Sequence, residues 1–278
     1  IRNSAVILEW EFEENSDDLD LGKTIELSYD AMLSNFWGIG GGYYKIQEHH
    51  DDRKIYSYYN MDAFGPIIKI PEISGYHFNI SSDRHQQLSV NLSWTFATNT
   101  RDDLEKGQFI EFTYHPNTFL TFSGSYDNYR LNKKYHWLEE LEGDDGIQYI
   151  FSDLDKNLNI YSLRSSGNIG RKLSIQIYSE IFQNSDTYSN YSLYNKDSKT
   201  YSKINGQEIY TIDEDEVKSQ TSSLILDPNY YIGLYPQYTN FIFNGILKWN
   251  YVHGSNLYIV YTARKSVNGK RFPKLSDF

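Results

Sequence analysis

The chain has 278 residues with a net charge of −11, and it contains 26 Tyr, 15 Phe, 5 Trp and no Cys. An acidic chain without a stripe of Lys and Arg argues against nucleic acid as a partner. The lack of cysteine excludes a disulfide scaffold and thiolate metal sites. No run of 18 apolar residues is present, so the sequence predicts no transmembrane helix, although a membrane-spanning strand needs only about ten residues of alternating polarity.

The first residues, Ile1-Arg2-Asn3, contain neither an initiator methionine nor a signal peptide. We therefore interpret the chain as a processed or truncated piece of a longer protein. Its length is enough for one large domain or two modest ones. The repeated pattern described next favours one domain over residues 1–278.

Apolar and polar residues alternate along most of the chain, which predicts β-strands. Helical periodicity is almost absent, and its best candidate, Tyr135–Leu141, is short. About eleven segments fit the strand pattern: Ala5–Phe12, Thr24–Asp30, Phe36–Ile46, Ile67–Ile80, Leu88–Thr98, Gln108–Tyr114, Phe119–Tyr129, Gln148–Leu163, Lys172–Ile181, Thr239–Tyr251 and Asn256–Lys265.

The predicted connections alternate between short and long. The short ones are Ser34-Asn35, Ser81–Gln86, His115–Asn117, Gly167–Arg171 and His253–Ser255. The long ones are His49–Pro66, Asn99–Gly107, Arg130–Gly146 and residues 183–237, the last being a surface or plug loop. Short turns at one end and long loops at the other are typical of outer-membrane barrels. The sequence thus predicts an all-β fold, an antiparallel up-and-down transmembrane β-barrel with roughly 12–14 strands when complete.

Alternation also predicts two faces, one towards lipid and one towards a hydrated lumen. The residues expected to face lipid are Leu88, Val90, Leu92, Trp94, Phe96, Leu173, Ile175, Ile177, Leu247, Trp249, Leu257 and Ile259. A charged lumen network is expected from Glu26, Glu111, Asp153, Asp155, Arg164, Glu180, Lys248 and Arg264. A large soluble β-protein remains the alternative, because its outward faces would look equally polar.

Five segments together resemble a known family. They are "NFWGIGGGYYK" (Asn35–Lys45), "DDRKIYSYYNMDAFGP" (Asp51–Pro66), "YIFSDLDKNLNIYSLR" (Tyr149–Arg164), "LSIQIYSEIF" (Leu173–Phe182) and "NGILKWNYVHGSNLYIVYTARK" (Asn244–Lys265). They occur in the order found in the C-terminal region of domain-of-unknown-function family 5916. In that family, a carbohydrate-binding domain similar to family 9 precedes an outer-membrane barrel.

The resemblance implies the outer membrane of a Gram-negative bacterium as the location, with lipid and other envelope proteins as partners. It also implies that any glycan would be bound through a domain that is not present in this chain. The family's final strand would follow Phe278. We therefore expect another segment or chain to supply the last strand or strands.

Two groups of residues are weak candidates for chemistry. His49, His50, Asp51 and Asp52 form the densest cluster of metal-capable groups, but neighbouring strand residues point in opposite directions, so a solvated loop is favoured over a metal site. Asp153 and Asp155 share one face of a strand, as a paired-carboxylate hydrolase would need. The lumen network is the favoured reading of this pair.

The leading functional hypothesis is a channel, anchor or scaffold in the outer membrane, with no cofactor and no catalysis. Two alternatives stay open. One is an envelope-associated hydrolase that uses Asp153 and Asp155. The other is a soluble β-sheet binding module.

Overall fold

A computed structural model describes residues 1–15, 19–51, 66–143, 146–196, 198–203, 211–213, 216–218, 225–226, 237–252 and 255–268. The regular secondary structure of these residues consists of β-strands alone. No helix in this part of the chain is long and apolar enough to cross a membrane. The strands are β1 (Asn3–Glu14), β2 (Asp20–Met32), β3 (Gly38–Ile46), β4 (His49–Asp51), β5 (Ile68–Ile70), β6 (Ile73–Ser81), β7 (Leu88–Asn99), β8 (Leu104–Asn117), β9 (Leu120–Gly143), β10 (Gly146–Ile169), β11 (Leu173–Asn195), β12 (Thr200–Lys203), β13 (Thr211–Asp213), β14 (Glu216–Lys218), β15 (Ile225–Leu226), β16 (Gln237–Val252) and β17 (Ser255–Asn268).

One antiparallel sheet of 12 strands dominates the fold. Its strands follow the order β1-β2-β3-β6-β7-β8-β9-β10-β11-β16-β17, and β12 pairs with β11 beside this path. β4 and β5 form a two-stranded sheet, and β13, β14 and β15 form a three-stranded one. The prediction of an all-β, antiparallel up-and-down fold is confirmed. β1 and β17 are the two edges of the main sheet, so the sheet is open.

Each of the eleven predicted segments overlaps one of the eleven strands of the main path, and one segment also contains a second strand, β5. The predicted strand Ile67–Ile80 is divided into β5 and β6. The break falls at Pro71 and Glu72. Proline has no amide hydrogen to donate to a strand ladder, so it stops the pairing there.

Most of the predicted long connections are longer than the connections in the structure, because the strands extend into them. β9, β10 and β11 have 24, 24 and 23 residues, so they include most of Arg130–Gly146 and the first part of residues 183–237. Tyr135–Leu141 is therefore strand and not helix. The connection expected over Asn99–Gly107 is a turn at residues 100–103, where the Asn99 side chain accepts hydrogen bonds from the amides of Arg101 and Asp103.

Short connections at the opposite end use asparagine and aspartate in the same way. Asn35 Oδ1 accepts from the amide of Trp37 at 3.3 Å, and Asp83 Oδ1 accepts from the amide of His85 at 2.9 Å. Asn117 Oδ1 accepts from the amide of Phe119 at 2.9 Å. Each bond spans two residues and closes a turn that Asn and Asp favour.

Where β9, β10 and β11 continue past the ends of β8 and β16, they form a part of the same sheet that we call the strand extension. It comprises residues 133–143, 146–154 and 188–195. A small apolar core on the extension and β5 consists of Ile68, Trp137, Tyr149, Phe151 and Tyr194. Phe151 is fully buried at 0% exposure. Burial of these aromatic side chains explains why the strands persist so far beyond their neighbours.

Candidate functional site

The strand register divides the main sheet into two faces, because directly paired residues point to the same side and successive residues point to opposite sides. Leu92, for example, pairs with Ile80 on β6 and with Ile110 on β8. Following such pairs across the sheet places all twelve residues expected to face lipid on one side, which we call the apolar face. They are Leu88, Val90, Leu92, Trp94, Phe96, Leu173, Ile175, Ile177, Leu247, Trp249, Leu257 and Ile259.

The apolar face is exposed along the whole sheet. None of those twelve residues is buried. The face continues across β1, where Leu8 and Trp10 are 72% and 79% exposed, and across β10, where Leu163 is 61% exposed. Near β17, a shallow apolar depression is lined by Leu173, Leu247, Trp249, Leu257 and Ile259. Soluble monomers rarely expose apolar patches larger than a few hundred Å², so this face is a candidate interaction surface.

A network of asparagines ends the apolar face on β9 and β10. Asn128 Nδ2 donates to Asn157 Oδ1 and Asn159 Oδ1, both at 2.9 Å, and to the carbonyl of Leu158 at 3.1 Å. The hydroxyl of Tyr126, the last aromatic residue of the face on β9, donates to Asn159 Oδ1 at 2.9 Å. The side-chain chemistry thus changes from apolar to amide within two residues.

The opposite side, which we call the polar face, carries most of the charged residues expected in a lumen. By register, Glu26, Glu111, Arg164, Glu180, Lys248 and Arg264 all lie on it. They do not form one network. Arg164 and Glu180 are joined through Tyr178, whose hydroxyl donates to Glu180 Oε2 and whose ring centre lies 4.9 Å from the Arg164 guanidinium. Glu26 lies instead beside His77, with 3.7 Å between Oε1 and Nδ1.

Charge is unevenly distributed over the polar face. On the described part of β1 to β8, all charged residues of the polar face are acidic. They are Glu9, Glu11, Glu13, Glu26, Asp30, Glu105 and Glu111. From β10 to β17, the polar face carries Lys156, Arg164, Lys248 and Arg264 beside Glu180 and Asp186. Of these strands, β1–β8 therefore carry only acidic residues on the polar face, whereas β10–β17 carry residues of both charges.

Asp153 and Asp155 do not join the other predicted lumen residues. They are odd-numbered residues of β10, whereas Arg164 is even-numbered, so the register places the two aspartates on the other side of the strand. Asp155 is exposed. Asp153 lies where the register of β10 shifts against both neighbours, and it accepts bonds from Asn190 Nδ2 at 2.7 Å and from the amide of Tyr135 at 3.4 Å.

These contacts give Asp153 a structural role. Tyr135 and Asn190 both have positive φ, at 54° and 52°, which is uncommon for residues other than glycine. Bulges of this kind leave backbone groups unpaired. The Asp153 carboxylate supplies an acceptor at both irregularities and so holds three strands of the extension together.

The residues proposed as a weak metal cluster are separated by the strand geometry. His49 and Asp51 point to one side of β4 and His50 points to the other. His49 Nδ1 contacts the carbonyl of Gln47 at 2.9 Å. Asp52 lies outside the described residues. Within the described ranges, no group of three or more His, Asp and Glu side chains is arranged to hold a metal ion.

The strand extension contains the most strongly perturbed histidine of the described residues. Burial lowers the pKa of His136 to about 4, and the nearby Lys133 and Lys156 add to this effect. Its ring stacks on Tyr188, with the ring centres 6.3 Å apart. Burial, then Asp186 and Tyr191, raises the pKa of Tyr188 to about 12. Both side chains are therefore uncharged at neutral pH.

Comparison with known proteins adds no relative to these observations. No protein-family model matches the chain, and no curated protein matches it. The resemblance to family 5916 therefore stays an expectation that rests on the quoted segments alone.

Proposed function

We propose that this chain forms the wall of an integral β-barrel in the outer membrane of a Gram-negative bacterium, with its apolar face against lipid and its polar face towards a hydrated interior. The observation that carries the proposal is the apolar face, which is exposed across the main sheet from Leu8 on β1 to Ile259 on β17. A surface of this extent is costly in water because about 25 cal/mol is lost for each Å² of apolar area left hydrated. Contact with hydrocarbon removes that cost.

The length of the apolar face supports the proposal. On β7, the face runs from Leu88 to Phe96, or about nine residues of strand. At about 3.4 Å per residue, such a segment is about 30 Å long. A strand tilted by about 35–45° then covers about 21–25 Å of membrane thickness, close to the apolar band of about 25 Å in outer-membrane barrels.

The polar face supports a hydrated interior. It carries the thirteen acidic and basic residues named above on β1–β8 and β10–β17. Glu180 and Arg164 both contact Tyr178, and Lys156 pairs with Asp186 at 3.5 Å. Buried charges without paired partners are expensive, whereas charges lining water keep their solvation. We therefore propose a channel, with anchoring or scaffolding of envelope proteins as further roles. Glycan recognition would be supplied by another domain, as the resemblance to family 5916 implies.

The test is extraction and electrophoresis of the full chain. A lipid-embedded barrel requires detergent to leave the membrane fraction, and its folded form migrates differently in gels before and after boiling. We expect both behaviours. A monodisperse chain in detergent-free buffer, whose apolar face is protected from a small hydrophobic dye, would contradict the proposal and support the soluble binding module.

A further inference from the structure

Five basic residues mark the end of the apolar face nearest to the strand extension. They are Lys23 on β2, Lys45 on β3, Lys106 on β8, Arg130 on β9 and Lys265 on β17. Lys106, Arg130 and Lys265 are exposed. Lys106 and Arg130 are direct register partners. We call these five residues the basic belt.

The belt follows a straight diagonal across the strands. From Lys106, the register leads through Phe96, Tyr76 and Tyr43 to Leu27, which lies four residues from Lys23 after four strand steps. The drift is thus one residue per strand in this half of the sheet.

The other half gives the same drift. From Arg130, the register leads through Asn157 and Ser185 to Gln237 on β16. Lys265 pairs with Phe241, four residues farther along β16, after four strand steps from Arg130. Followed in chain order from β2 to β17, both halves shift in the same sense, towards the end of the sheet with the short turns.

This drift corresponds to a defined strand tilt. One residue along a strand is about 3.4 Å and one step between strands is about 4.8 Å, so the diagonal makes an angle of about 35° with the register rows. Strands in barrels tilt by about 35–45°. With that tilt, the five cations lie at one height around the wall, immediately beyond the apolar face.

We propose that the basic belt binds phosphate groups at the surface of a lipid leaflet, a proposal that rests on the membrane function proposed above. Lysine and arginine at such a boundary keep their alkyl stems on apolar surface and their charged ends in the headgroup layer. Lys106 shows this arrangement, with Nζ 5.7 Å from the centre of the Phe96 ring. Arginine adds two parallel hydrogen bonds to a phosphate, and lysine adds a point charge.

Charge complementarity also favours an anionic leaflet. The whole chain carries a net charge of −11, so its overall field repels anionic lipid. The belt is the part of the apolar side of the sheet where positive charges attract anionic lipid. Lys23 and Lys45 are paired with Asp20 and Glu72 at 3.2 and 2.9 Å, and both pairs are half-exposed, so phosphate replaces or extends weak surface pairs. Other acids lie on the same side. Asp153 and Asp155 on β10 are closer to the strand extension than the diagonal is, and Glu14 lies at the end of β1, where it pairs in register with Asp20.

The experiment measures the lipids next to the protein. The full chain is folded into vesicles of phosphatidylcholine and phosphatidylglycerol, and one of the two lipids is brominated in each sample. Bromine quenches tryptophans on the apolar face, such as Trp94 and Trp249, so the two samples give the relative affinity for anionic and zwitterionic lipid. We expect an anionic preference of about fivefold or more at low salt, which falls towards unity at high salt.

Two variants with equal charge change localise the effect. The belt variant K45Q/K106Q/R130Q/K265Q should lose the preference, whereas the polar-face variant K156Q/R164Q/K248Q/R264Q should keep it. Inserted protein that is quenched equally by both lipids, or a belt variant that keeps the full preference, would overturn the lipid-binding inference. Failure of the unaltered chain to insert, seen as the absence of a heat-modifiable form, would instead overturn the proposed function. If the belt variant does not insert, the salt dependence of the unaltered chain decides the question.

Discussion

Replacement of Leu92 by arginine offers the sharpest test of the proposal that the apolar face meets lipid. Leu92 lies in the middle of the apolar stretch of β7 and is flanked by Ile80 and Ile110 on the neighbouring strands. An arginine at the midplane of the lipid-facing side of a barrel costs about 2–4 kcal/mol. This cost corresponds to a change of about 30-fold to 1000-fold in the folding equilibrium. The neighbouring change Asn91→Arg is the matched control, because Asn91 lies on the polar face opposite Glu111 and should stay within about 0.5 kcal/mol of the unaltered chain.

Both variants would be unfolded and refolded with urea in the presence of lipid vesicles, and the folded fraction would be followed by its migration in unheated gels. We expect Leu92→Arg to be less stable than Asn91→Arg by at least about 2 kcal/mol. Equal stability of the two variants would refute the assignment of the faces. A larger loss of stability for Asn91→Arg would indicate that the polar face, and not the apolar face, contacts lipid or packed protein.

Three further predictions concern the strand extension and the polar face. Because burial lowers the pKa of His136 to about 4, the unfolded strands bind the proton first, so the extension loses roughly 3 kcal/mol as pH falls from 6.5 to 4; amide hydrogen exchange should show this loss and His136→Gln should abolish it. Phe151→Ala should cost about 3–5 kcal/mol, since Phe151 is fully buried, and should make the extension sensitive to protease while the main sheet stays folded. A pore lined by the acidic part of the polar face should conduct cations better than anions, and Glu26→Gln with Glu111→Gln should reduce that selectivity in reversal-potential measurements.

Period-two alternation was enough to predict the strands and their faces. Leu92 and Asn91 can be assigned to opposite faces from sequence alone, because side chains on any strand alternate. The same rule exposes the error over Asp153 and Asp155, whose odd numbers separate them from Arg164 on one strand.

Strand length and cross-strand alignment needed the structure. The extension of β9 to Gly143 depends on pairing with β10 and on the buried Phe151 cluster, neither of which appears in local sequence. The basic belt was also invisible, since Lys106 and Lys265 are far apart in the chain and become aligned only through the register. Sequence periodicity describes one strand at a time, whereas the alignment of residues on different strands depends on the register of the whole sheet.

The count of strands in the main path has a consequence for closure. Neighbours alternate in direction along eleven strands, so β1 and β17 run the same way. Direct union of these two margins would create a single parallel ladder in an otherwise antiparallel ring. To close as a fully antiparallel barrel, the sheet would need an odd number of additional strands between the edge strands β1 and β17. Such a barrel would have 12 or 14 strands in total, but not 13.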